Sequence, residues 1–313
     1  MKTEIFKGIE TIVLESDELS VRVIPKLGGK ISSIFYKPTE AEMLFQNKQD
    51  IYEIPKCGSD FSKFDASGVD DAFPNIDKDK FFLNDREVDY PDHGEVWTMP
   101  LSYTEIKDGI SLLGYGKVLP YKFKKTISIK CDEVNLAYTI ENIGDYEFPC
   151  FWTMHCLLNC TEDMEIFFPP ETETVMVVQD SERLGTAKTL HSYPLTKTMK
   201  GESYFLNRVQ SKKSKTMEKY YVKGKIKNGV CGVYYPKSET RIWFRYDANA
   251  LPYLGFWVTC GGFRGDYNCA LEPTNGYYDM VSIAKENGAL PILKPNDKME
   301  FNLKINAKRE VSK

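Results

Sequence analysis

The chain has 313 residues, a formal net charge of −4, and 42% hydrophobic and 27% charged residues. These values describe a globular protein, one large domain or two ordinary ones, and exclude a disordered chain. The mild negative charge gives no reason to expect nucleic acid or an anionic membrane as a partner, and no apolar run reaches the roughly 18 residues of a membrane-spanning helix.

In chain order, Met1-Lys2-Thr3-Glu4-Ile5-Phe6-Lys7 does not resemble a signal peptide. Residues 19–24 alternate with the period of a half-buried strand, and Pro25 with Gly28-Gly29 turns the chain. Residues 60–64 are predicted helical. Residues 121–129 and 134–143 alternate on either side of a turn at Cys131-Asp132-Glu133. Residues 150–158 read as a strand, as do 165–168, 229–235, 241–246, 253–259 and 299–305. Residues 181–219 are polar and read as an insertion or long loop, although their Tyr, Leu and Phe argue against disorder. Helix is predicted again at 279–287. With 19 Tyr, 18 Phe, no flexible linker and no internal repeat, the chain reads as all-β: a single domain over 1–313 of two packed antiparallel sheets.

The eight cysteines are scattered, so reduced thiols and a cytoplasmic location are expected. Their spacing does not match a structural zinc site, and neither zinc nor calcium is expected.

Three residues stand out for chemistry. Glu272 follows the apolar run Cys269-Ala270-Leu271 and precedes Pro273. Proline cannot donate to a sheet ladder, so the strand is expected to stop or reach an edge there, displaying Glu272 at a strand-to-loop boundary. In residues 150–158, Cys150, Trp152, Met154, Cys156 and Leu158 share one apolar face. His155 then lies on the other face with Phe151 and Thr153, turned toward a polar or cleft side; a hydrogen-bonded structural histidine is the plainer alternative. His93 precedes Gly94, which points to a close backbone approach or a special dihedral, although a surface loop histidine would look the same. His191 has no such context. One carboxylate and two imidazoles are the groups needed to move protons on and off a neutral polar substrate near pH 7. Asp247 and Trp257 flank an aromatic run; aromatic faces suit the C–H faces of sugars and carboxylates accept hydroxyl hydrogen bonds, but core aromatics would read alike. Gly68-Val69-Asp70-Asp71-Ala72-Phe73-Pro74-Asn75 lacks calcium-loop spacing and reads as a solvated acidic loop.

Taken in order, these segments resemble the galactose mutarotase (aldose 1-epimerase) superfamily. Leu27-Gly28-Gly29-Lys30-Ile31-Ser32 resembles its opening strand and turn, and Gly68-Val69-Asp70-Asp71-Ala72-Phe73-Pro74 resembles a segment of a bacterial branch. His93-Gly94 and Trp152-Thr153-Met154-His155 are similar to the two histidine segments, Leu271-Glu272-Pro273 to the segment of the general base, and Leu293-Lys294-Pro295-Asn296-Asp297 to the lead-in of the last strand. The chain departs from the pattern at Cys156, where proline is usual, and at Lys30, where arginine is frequent.

The resemblance implies a large β-sandwich with a sugar cleft, Glu272 as base, His155 as acid and His93 as a binding or assisting group. It implies substrate contacts by Lys30, Trp257 and one of Asp71 and Asp247, and no cofactor. The reaction implied is exchange of α and β anomers of an aldohexose by ring opening. An attracting Glu272–His155 pair is expected to lower the carboxyl pKa and raise that of the imidazole. A hexose-6-phosphate epimerase would need basic residues at the cleft rim, with Lys30, Arg245 and Arg264 as candidates. A sugar-binding module without catalysis is the alternative of another class. A glycoside hydrolase fits less well, since it needs two opposed carboxylates.

Overall fold

The computed structural model describes residues 1–83 and 86–310. Two large antiparallel sheets carry the fold. The first, of 12 strands among the described residues, has at its centre Lys30–Tyr36, Val69–Ala72, Thr153–Asn159, Tyr267–Thr274, Tyr253–Cys260 and Thr216–Val222, in that spatial order. The second, of 8 strands, runs Glu165–Phe167, Val230–Tyr235, Thr240–Tyr246, Lys298–Arg309, Glu133–Asn142, Tyr121–Lys130, Gly109–Tyr115 and Ser102–Ile106. Helix is confined to Val281–Glu286 and four short 3-10 turns among the described residues, one of them Phe61–Lys63. None of these helices is long and apolar enough to cross a membrane.

The alternation seen in the sequence becomes a two-faced sheet. In Tyr121–Lys130, Tyr121, Phe123, Lys125, Ile127 and Ile129 are buried while the residues between them are more exposed. One apolar core joins Phe123, Ile127, Leu136 and Phe244 of the second sheet to Cys156, Leu158, Phe256 and Leu271 of the first. Lys125 is the charged exception at an inward position. Its Nζ lies 2.7 Å from Asp71 Oδ2, both side chains fully buried, while Trp152 Nε1 donates to Asp71 Oδ1 at 3.1 Å. A charge is tolerable there because its partner and hydrogen bonds come with it. The acidic stretch at 68–75 is therefore no solvated loop: Val69–Ala72 is a fully buried strand of the first sheet.

Residues 181–219 are not purely loop. They hold the short strands Leu190–Ser192, Leu195–Lys197 and Ser203–Phe205, and their last four residues belong to Thr216–Val222 of the large sheet. The strand stops one residue beyond Pro273. Tyr267–Thr274 runs through the proline and is paired on both sides. On the His155 side, the paired positions pass from Thr153–Thr274 to Cys156–Leu271 and skip the two between. Proline, which has no N–H to donate, sits beside this gap in the ladder.

Candidate active site

Strand parity turns one set of side chains outward from the first sheet. Leu157 and Ala270 leave the main core and form a separate apolar cluster with Phe61, Ala66 and Trp97, against which Phe64 and Trp257 pack. Above this floor lies a cavity of about 340 Å³ whose lining includes Phe61, Asp77, Asp92, His93, His155, Lys219, Trp257 and Asp279. Its volume is at the lower end of the roughly 300–1,000 Å³ usual for small-molecule sites.

The open stretch of ladder at Met154–His155 brings His155 beside Glu272 on the neighbouring strand. His155 Nε2 lies 3.7 Å from Glu272 Oε1. Glu272 is completely buried, and His155, which lines the cavity, is 6% exposed. Both carboxylate oxygens of Glu272, and Nδ1 of His155, have no hydrogen-bond partner among the described residues. Buried polar atoms are normally satisfied, and exceptions concentrate at functional sites. On its other side Glu272 meets Lys219, whose Nζ is 3.3 Å from Oε2 and 2.9 Å from Asp279 Oδ2. Tyr221 donates its hydroxyl to Asp279 Oδ1 at 2.8 Å. The Asp279 carbonyl accepts the N–H groups of Ile76 and Asp77, which ties this cluster to the loop leading to His93.

That loop is built around a close backbone approach. Gly94 has φ +69°, and a Cβ there would stand 2.1 Å from the carbonyl oxygen of Phe73. His93 itself has φ +55°. Its Nδ1 pairs with Asp92 Oδ1 at 2.8 Å, and the N–H of Phe61 donates to Asp92 Oδ2, also at 2.8 Å. Asp92 thus holds both members of a stack in which the Phe61 and His93 rings lie 3.8 Å apart and 7° from parallel. The His93 and His155 rings meet edge to face, centroids 5.2 Å apart.

Electrostatics in the cluster run opposite to the expected mutual attraction of Glu272 and His155. Burial pushes the Glu272 carboxyl up to about 7, opposed by Lys219 and reinforced by Asp279. Burial, with the positive charges of His93, Lys219 and Lys30, holds His155 well below the ordinary histidine range. Desolvation and surrounding cations outweigh the single carboxylate. Burial works against the Lys219 charge too, but Asp279, Glu272 and Asp77 outweigh it and hold the ammonium above its ordinary value. Burial and Asp279 raise Asp77. Burial raises Asp92 as well, yet the hydrogen bond and charge of His93 bring it below its ordinary value.

His93, His155, Glu272 and Trp257 thus come together, although Glu272 lies beneath the lining rather than in it. Three other expected residues do not join them. Asp71 is a partner of Lys125 in the core between the sheets. Lys30 is 3% exposed, donates to the Ser67 carbonyl, and is held by Asp70 at 2.6 Å and Asp65 at 3.3 Å. Asp247 lies in the turn leaving a strand of the second sheet, where it accepts from the N–H and side chain of Asn249. None of the three lines the cavity. The basic residues considered for phosphate are dispersed as well. Arg245 donates to Asn306 on the second sheet, and Arg264 donates to the carbonyls of Ser62 and Phe64. Among the described residues, no group of three or more His, Cys, Asp or Glu is placed to hold a metal ion. Lys219, Asp279 and Asp92 are additions that the sequence alone does not single out.

Two packed antiparallel sheets with this outward cleft define the class: the chain has the galactose mutarotase-like β-sandwich fold. Among solved structures it is similar to the Slr1438 protein of Synechocystis sp. PCC 6803, with a TM-score of 0.72, 14% identity, and coverage of 99% of this chain and 100% of that one. It is similar to a galactose mutarotase related enzyme of Lactobacillus acidophilus, with a TM-score of 0.69, 13% identity, and coverage of 97% and 100%. It is also similar to a galactose mutarotase-like protein of Clostridium acetobutylicum, with a TM-score of 0.68, 14% identity, and coverage of 98% of each chain. No protein-family model and no curated protein sequence matches the chain. At such identities the likeness is one of fold.

Proposed function

We propose that this chain is an aldose 1-epimerase that interconverts the anomers of a free aldohexose. The observation that carries the reading is the Glu272 carboxylate. It is buried, neither oxygen is hydrogen-bonded among the described residues, and it stands 3.7 Å from an imidazole at the floor of a sugar-sized cavity. A carboxyl held near neutral pH is matched to general base work. Glu272 takes the proton of the anomeric hydroxyl, reached between His155 and Lys219, which both touch it and line the cavity. The ring oxygen receives a proton as the C1–O5 bond breaks. The open-chain aldehyde rotates about C1–C2 and recloses on its other face, returning both protons.

The two imidazoles take different parts. His155, held uncharged, hydrogen-bonds the substrate. His93, with Asp92 fixing its Nδ1, is the imidazole equipped to carry the proton for the ring oxygen. This exchanges the roles that the family resemblance implied. Trp257, Phe61 and Phe263 offer apolar faces to sugar C–H groups, and Asp77, Asp92 and Gln179 offer hydroxyl partners.

A free sugar is favoured over a phosphorylated one. The charged residues lining the cavity, histidines aside, are Asp77, Asp92, Asp279 and Lys219, and Lys219 is already held between two carboxylates. A phosphate group would face carboxylates with no free cation among the described lining residues. The reading is tested by mixing pure α-anomers of free and 6-phosphorylated hexoses with the protein and following anomer exchange by NMR. Acceleration confined to 6-phosphates would overturn the free-sugar assignment.

A further inference from the structure

We propose that Lys219 is a positioning residue for Glu272: bridging Glu272 Oε2 at 3.3 Å and Asp279 Oδ2 at 2.9 Å, it fixes the carboxylate in place and keeps it in its charged, proton-accepting form. The role rests on Glu272 acting as the base.

The geometry has three parts. First, Glu272 is wholly buried and lacks the hydrogen bonds that normally hold a carboxylate, so the ammonium of Lys219 is the nearest group of opposite charge that can hold it. A buried carboxylate with no partner of opposite charge takes up a proton and ceases to be a base. Second, Lys219 is itself fixed. Asp279 accepts from both Lys219 and the Tyr221 hydroxyl, and its carbonyl accepts two backbone N–H groups. Lys219 and Tyr221 are two residues apart on one strand and so project to the same face, toward Asp279. Third, the cluster is balanced. The charged and titratable groups facing Glu272 are His155 from one neighbouring strand, Lys219 and Tyr221 from Thr216–Val222, Asp279 from the segment after its own strand, and Asp77 and His93 from the segments above. Asp279 raises the Glu272 carboxyl while Lys219 lowers it, so the two act on the base in opposite senses.

This opposition supplies a test with signs. Lys219→Met removes the cation, and the acidic limb of the rate–pH profile should move up by about one to three pH units. At a fixed pH on that limb, the rate falls roughly tenfold for every pH unit by which the limb moves up. Asp279→Asn removes the opposing carboxylate and leaves Lys219 to Glu272, and the limb should move down. Lys219→Arg keeps the charge and should restore the limb toward its wild-type place. A residue that served only packing would lower the rate at every pH without moving the limb. Carbon-13 NMR of the glutamate side-chain carboxyls, with Glu272→Gln to assign the signal, reads the Glu272 titration without any turnover. If the chain exchanges no anomers, this titration still decides the Lys219 role. A Glu272 titration that stays put in Lys219→Met, or moves in the same direction in both variants, overturns the proposal. Should Lys219→Met fail to fold, Asp279→Asn alone decides: a titration that does not move down sinks it.

Discussion

Gly255 stands directly opposite Glu272 in the ladder between Tyr253–Cys260 and Tyr267–Thr274, and a Cβ built on it would lie 2.9 Å from Glu272 Oε2. The same Cβ would lie 3.0 Å from the Tyr221 ring. The glycine leaves the space that the unbonded carboxylate occupies. Gly255→Ala should therefore push Glu272 off Lys219 and lower kcat by roughly tenfold, since small misplacements of a catalytic group cost up to about a hundredfold. Thermal unfolding should shift down as well, because crowding the buried Tyr221 ring and the buried carboxylate costs roughly 1–3 kcal/mol. Unchanged kcat in a folded Gly255→Ala protein would show that the position of the carboxylate is not critical.

Glu272 accepts a proton only when ionised. With its carboxyl raised to about 7 by burial, the ionised fraction grows as pH rises through that value. The rate should climb about tenfold per pH unit on the acid side of that value. His155, already uncharged there, adds no loss on the alkaline side. Initial rates across the range about pH 5 to 9 check this. An acidic limb near the ordinary glutamate value of about 4.3 would mean that the carboxyl is not raised.

The two histidines should respond unequally. His93→Asn should cost about a hundredfold or more if that imidazole supplies the ring-oxygen proton, and Asp92→Asn should follow it part of the way by freeing the ring. His155→Asn should raise KM more than it lowers kcat, as expected of a hydrogen-bonding contact. The reverse ranking in steady-state kinetics would return the acid role to His155.

Asp71 and Asp247 should separate stability from activity. Lys125→Met leaves Asp71 charged and unpaired between the sheets, and the unfolding free energy should fall by roughly 3–5 kcal/mol. Asp247→Asn, in a turn away from the cleft, should leave the rate within about twofold and stability within roughly 0.5 kcal/mol. Urea unfolding and rates on the same preparations check both.

Much of the sandwich is legible in the sequence because alternation is a local signal. Period-two spacing turns His155 away from the face of Met154 and Cys156, and it does line the cleft while they lie in the core; the strand begins only at Thr153, so Phe151, expected on the His155 face, lies in the core instead. The site is less legible, because its partners are long-range. Nothing near Asp71 announces Lys125, which lies 54 positions away on the opposing sheet. Lys219 is hidden because Thr216–Val222 carries polar residues on both faces, Lys219 on one and Glu218 on the other, so no apolar stripe marks the strand. Pro273 is a local signal again: proline ordinarily terminates a strand, and this one stops one residue beyond it. Attraction between Glu272 and His155 is a sound pairwise argument, but burial of both groups and the cations around His155 reverse it.

The measurement that tests the account most directly is anomer exchange of a freshly dissolved α-aldohexose, followed by polarimetry with the wild-type protein and with Glu272→Gln. Gln keeps the size and one acceptor of the side chain but cannot take the anomeric proton. The wild type should accelerate exchange well above the spontaneous rate, and folded Glu272→Gln should lose about a hundredfold or more of that acceleration. A wild type that binds sugars but accelerates no exchange on free or phosphorylated hexoses would make the chain a sugar-binding module. Full activity in Glu272→Gln would remove the carboxylate from the mechanism.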